Sequence, residues 1–149
     1  MTEALALPPD LLCAMQHLAA AARPREACGL LLGQGTRVLA LAPSRNLAAA
    51  ADAFEIDAAL QLRLHRQLRG SGQAVTGIWH SHPCSAAVPS ARDLAGAWDE
   101  TLAWVITGTD RTRAWRIADG RPRELALFSA APTGARLGAR TTGGDHAVP

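Results

Sequence analysis

A chain of 149 residues, 48% hydrophobic and 19% charged, carries enough apolar side chain for one packed domain and does not have the composition of a disordered chain. The formal net charge of +2 comes from arginines spread along the chain rather than gathered in a block, which argues against a nucleic-acid partner. No apolar run approaches the ~20 residues of a membrane span, and "MTEALALPPDLL" lacks the basic start and long apolar core of a secretory signal.

After Pro8-Pro9 the composition favours a helix over 10–22, stopped by Pro24, with Leu11, Leu12, Met15 and Leu18 on its inner side. "CGLLLGQGTRVLALAPS" reads as two apolar strands around a glycine-containing turn, a hairpin. Residues 46–54 are Ala-rich and read as a connecting loop. A second helix follows in "IDAALQLRLHRQLRGSG", where Ile56, Leu60, Leu64 and Leu68 recur at four-residue spacing and Gly70 marks the end. "AVTGIWH" is a short buried strand that ends on His80, and "PSARDLAGAWDE" a third helix with Ser90 as its N-cap. "LAWVITG", "RAWRIADG" and "ELALFSA" supply three more strands. Residues 1–130 form the expected domain, an α/β sandwich with a mixed central sheet flanked by helices. Residues 131–149, rich in Thr, Gly and Arg, are expected to be a disordered tail.

Cys13, Cys28 and Cys84 form no CxxC pair, and an odd count reads as free thiols. The expected location is therefore the cytoplasm. Cys28 reads as a buried strand residue and Cys84 as an inconsequential loop thiol. Trp79, Trp98, Trp104 and Trp115 read as core or site-wall residues, with Trp98 the more exposed.

The chemistry concentrates in "GIWHSHPCSAAVPSARDL". Side chains alternate along a strand, so His80 and His82 point to one side and Ser81 to the other. Asp93, in the first turn of a helix opened by Ser90, can return toward the two imidazoles. Two histidines and a carboxylate, with a fourth position for water, form the pattern of a catalytic zinc site, one zinc per chain. Such a site needs a proton shuttle and an oxyanion donor. Glu26, ahead of the apolar strand "CGLLLG", is the best-placed acid, and Ser90 can offer its hydroxyl. The plainer readings are a solvated Glu26, a Ser90 that only caps, and two loop histidines near a helix carboxylate.

"EACGLLLG" followed by "GIWHSHPCSAAVPSARDL" resembles the JAMM motif of the MPN/JAB (Mov34) metallopeptidases, short prokaryotic type: a Glu, then His-x-His-Pro, then Ser-x-x-Asp. "SRNLAAAADAFEID" is similar to the Asn…Phe-Glu-Ile-Asp segment of short prokaryotic members, and the resemblance runs over 11–128. It implies zinc ligands His80, His82 and Asp93, Glu26 as general acid/base and Ser90 as oxyanion stabiliser. It implies a cytidine-deaminase-like fold and hydrolysis of peptide or isopeptide bonds at the C-terminus of ubiquitin-like proteins. The expected partner is a ubiquitin-like or sulfur-carrier protein with a diglycine tail, cut after the second glycine; the oligomeric state is not legible. A non-catalytic MPN scaffold is the alternative, though such scaffolds usually lack part of this ligand set. A zinc deaminase would need Pro-Cys-x-x-Cys, and "PCSAA" has no second cysteine.

Overall fold

The computed structural model describes residues 3–129; the tail expected over 131–149 lies outside the described residues. Strand β1 (Ala4–Ala6) leads into helix α1 (Pro9–Ala22), and the hairpin β2 (Cys28–Gln34) and β3 (Arg37–Ser44) follows. Helix α2 (Ala58–Leu68) precedes β4 (Ala74–Ser81), and the short α3 (Ala91–Gly96) precedes the meander β5 (Ala103–Thr107), β6 (Thr112–Ala118) and β7 (Arg121–Phe128). Among the described residues no helix is long and apolar enough to cross a membrane.

The sheet is mixed, as expected: β4 pairs antiparallel with β2 on one side and parallel with β5 on the other. It also curls until it closes, in the order β1-β3-β2-β4-β5-β6-β7. The closing strand β1 was not legible in the sequence, since three residues are too few to show a period. It runs parallel to both β7 and β3, and the Glu3 carboxylate beside it takes ion pairs from Arg116 and Arg123.

Both faces of the central strands are covered, which explains why β5, "AWVIT", is buried at every position instead of alternating. On one face Val105 and Trp79 pack with Leu5, Leu31 and Met15 of α1, with Leu11, Leu12 and Leu18 at the margin. On the other face Trp104 and Ile106 pack with Trp115 and Ala87, bordered by Phe54, Ile78 and Leu94. Two glycines permit close approaches here. A Cβ on Gly77 would meet the Ala103 carbonyl oxygen at 2.5 Å, and one on Gly108 would meet the Ala87 amide nitrogen at 2.3 Å. The second contact seats the loop that follows His82 against β5.

Two elements differ from expectation. Helix α3 has six residues and stops at Gly96, so Trp98, Asp99 and Glu100 lie beyond it and Trp98 is 88% exposed. Ile56 precedes α2; it pairs with Asn46 in an isolated β-bridge, and Asp57 caps the helix.

Candidate metal and catalytic site

His80 is the penultimate residue of β4 and His82 the first beyond its end. Strand alternation sends both imidazoles to one point, while the Ser81 hydroxyl turns the other way and accepts the Ala27 N–H at 2.8 Å. Helix α3 supplies the third group. Ser90 and Asp93 form a capping box: Asp93 N–H donates to Ser90 Oγ at 3.1 Å and Ser90 N–H donates to Asp93 Oδ2 at 2.9 Å. That reciprocal pair fixes the carboxylate, whose Oδ2 then stands 3.1 Å from both His80 Nε2 and His82 Nε2. The two Nε2 atoms are themselves 3.1 Å apart.

Three ligand atoms in a triangle of 3.1 Å sides cannot all be satisfied by one another's protons. An imidazole N–H between two acceptors serves one of them, and two N–H groups at this point would face each other. The spacing is close to the ~3.3 Å expected between two ligands that each sit ~2.0–2.1 Å from a tetrahedral zinc. The donor set and its geometry therefore fit a divalent cation.

Glu26, two residues before β2, completes the cluster: its carboxylate and the two imidazoles place ligand atoms within 4.8 Å of one another. Glu26 Oε1 is 3.8 Å from His82 Nε2, farther out than Asp93, which leaves space between the carboxylate and the triangle. All four side chains are buried, so the solvated-surface reading of Glu26 does not hold. Burial pushes the Glu26 pKa up to about 7, reinforced by the Asp93 and Asp52 charges and opposed by His82 and Arg92. Burial would also raise Asp93, but its hydrogen bonds from His80, His82 and the Ser90 amide prevail and hold it far below the usual carboxylate range. Desolvation keeps His80 below the ordinary imidazole value. For His82 desolvation acts in the same sense, but Asp93, the Ala86 carbonyl and Glu26 outweigh it and the net shift is upward.

The plainer reading of Ser90 as a helix cap is present in the structure. In the structure Oγ accepts from Asp93 N–H, and accepting leaves its own proton available for donation. Capping therefore does not use up the donor of this hydroxyl.

The loop at 46–54 contributes two residues whose part was not legible. Asn46 is its anchor: Nδ2 donates to the carbonyls of Glu26 and Ala53 at 3.0 and 2.9 Å, and Oδ1 accepts from the amides of Ala48 and Glu55 at 2.9 and 3.1 Å. Arg25 adds bonds to the carbonyls of Ala48 and Ala49. Phe54, at the far end of the loop, stacks on the His80 ring with centroids 4.3 Å apart. The only sequence signal for either residue was the resemblance of "SRNLAAAADAFEID" to short family members. A cavity of about 560 Å³ opens beside Asp93, with Phe54, Ile78 and Trp104 on its walls and Trp98 at its rim.

The profile of prokaryotic homologues of the JAB domain matches residues 8–118. A CysO-cysteine peptidase of Mycobacterium tuberculosis is 30% identical over 127 residues, covering 80% of this chain and 87% of that one. A probable TtuB-protein conjugate cleaving protease of Thermus thermophilus is 34% identical over 106 residues, covering 70% of this chain and 68% of that one. The solution structure of protein DSY2949 from Desulfitobacterium hafniense matches with a TM-score of 0.75 at 29% identity, covering 85% of this chain and 92% of that one.

Proposed function

The chain belongs to the prokaryotic homologues of the JAB domain, and from that premise we propose that it is a zinc peptidase that cuts after the terminal Gly-Gly of a ubiquitin-like or sulfur-carrier protein. The observation that carries the reading is the convergence of His80, His82 and Asp93 at 3.1 Å with a buried Glu26 beside them. His80, His82 and Asp93 would hold the zinc, one per chain. Zinc in that position would acidify a water toward a pKa of ~7 and polarise the scissile carbonyl.

Glu26 takes a proton from the attacking water as the new C–O bond forms, and passes it to the leaving nitrogen as the C–N bond breaks. Burial strengthens the hold of this carboxyl on a proton, which suits a group that must accept one and then return it. Ser90, its position set by the capping box, donates its O–H to the oxygen that gains charge. Helix α3 thus orients a metal ligand and the oxyanion donor together, which couples metal holding to carbonyl activation. The diglycine tail suits a buried site because glycine presents no side chain to its walls. The free cysteines, with Cys13 and Cys84 exposed, fit a reducing compartment, and we place the protein in the cytoplasm.

The test is to incubate the zinc-loaded protein with the sulfur-carrier and ubiquitin-like proteins encoded beside its gene, each extended beyond its diglycine, and to read products by mass spectrometry. Release of the intact Gly-Gly terminus supports the reading. No cleavage of any diglycine fusion counts against the substrate class, and cleavage that persists with chelator counts against the metal.

A further inference from the structure

The two histidines of the cluster are held in place by different means. His82 Nδ1 lies 3.0 Å from the Ala86 carbonyl oxygen, so the nitrogen facing away from the cluster has the acceptor that a metal-binding imidazole ordinarily uses to fix its tautomer and ring plane. His80 has none. Its side chain is fully buried, and Nδ1 is without a hydrogen-bond partner among the described residues. The His80 ring is instead enclosed by other rings. Phe54 lies parallel to it, 4.3 Å between centroids and 19° between planes, and Trp104 meets it edge-on at 5.8 Å and 88°. Trp104 is part of β5 and rigid with the sheet, whereas Phe54 sits on the loop that Asn46 and Arg25 pin down.

We propose that Phe54 is the positioning residue for His80, its flat face setting the imidazole plane so that Nε2 points at the metal, in the place of the hydrogen bond that orients His82. The inference rests on the reading of His80 as a ligand and goes beyond it, because it makes the 46–54 loop part of the metal site. It also gives that loop a consequence for affinity: whatever loosens the loop frees the rotation of one ligand. A ring face restrains tilt but offers no acceptor for Nδ1–H, so His80 is the ligand most dependent on its neighbours' packing.

Phe54→Leu keeps an apolar side chain but removes the flat face; Phe54→Tyr keeps the face; Phe54→Ala removes both. Zinc affinity measured by competition with a chromogenic chelator needs no substrate, and the visible spectrum of the cobalt-loaded protein reports ligand geometry. The expected result is zinc binding about 10- to 100-fold weaker in Phe54→Leu and Phe54→Ala, a shifted cobalt band in both, and near-wild-type behaviour in Phe54→Tyr. Circular dichroism of the metal-free variants confirms that each is folded. If Phe54→Leu matches wild type in affinity and cobalt spectrum, or if Tyr fails as badly as Ala, the proposal is overturned. If His80→Ala keeps full zinc affinity, the ligand assignment falls and the role of Phe54 with it. A folded Phe54→Leu that binds zinc normally but does not cleave would place Phe54 against the substrate instead, and would also overturn it.

Discussion

Replacing Asn46 with Ala tests whether the loop over the site is held by one side chain. Asn46 donates both of its amide hydrogens, to the carbonyls of Glu26 and Ala53, and accepts twice at Oδ1, from the amides of Ala48 and Glu55, four bonds in all. A neutral hydrogen bond contributes about 0.5–1.5 kcal/mol net, so four would sum to roughly 2–6 kcal/mol if nothing replaced them. The residue is only half-buried and water can reach some of the freed groups, which brings the expectation to about 2–4 kcal/mol. For a domain of this size roughly 4 °C corresponds to 1 kcal/mol, so the midpoint should fall by about 8–16 °C. Thermal unfolding followed by far-ultraviolet circular dichroism in chelator measures it. Asn46→Asp should be as damaging, because it turns an acceptor toward the carbonyls of Glu26 and Ala53. Because the same loop carries Phe54, zinc affinity should weaken alongside stability. A loss under 0.5 kcal/mol for Asn46→Ala would refute the reasoning, and the loop would have to be held by Arg25 and the bridge to Ile56.

His80→Ala and Asp93→Ala should each lose zinc and activity together; elemental analysis that finds undiminished zinc in both would remove them from the ligand set. Glu26→Gln should retain zinc but lower kcat by several orders of magnitude, while Ser90→Ala should cost roughly 10²–10³ in kcat, with about 1 kcal/mol of stability lost through the cap. A Glu26→Gln enzyme near full rate would shift the base to another carboxylate. In metal-free protein Glu26 should make stability pH-dependent. Its folded pKa is raised from 4.5 to about 7, so the folded state binds the proton more tightly. The contribution is full below about 4.5 and is lost as pH rises through 7, on the order of 3 kcal/mol by pH 8 relative to Glu26→Gln. Urea unfolding of both proteins between pH 5 and 8 gives the difference, and parallel curves would show that Glu26 is not buried as an acid.

Helix α1, the β2–β3 hairpin and strands β4 to β7 were legible because each is set by residues near in sequence: a proline stop, a glycine turn, an apolar run of strand length. The same locality made the cluster readable. His80 and His82 share a face through strand alternation, and Ser90 and Asp93 meet within one helical turn. What the sequence by itself determined is therefore the donor set and its order along the chain. Only the tertiary structure decided how these groups behave. It closed the sheet through β1, and it buried Glu26 beside His82, 56 positions later in the chain, so that its carboxyl titrates near 7. It also laid Phe54 on an imidazole whose Nδ1 has no hydrogen-bond partner among the described residues, from a loop whose composition reads only as a connection. Desolvation and ring stacking act between neighbours in space, and those neighbours are chosen by the packing of the whole sheet rather than by local sequence.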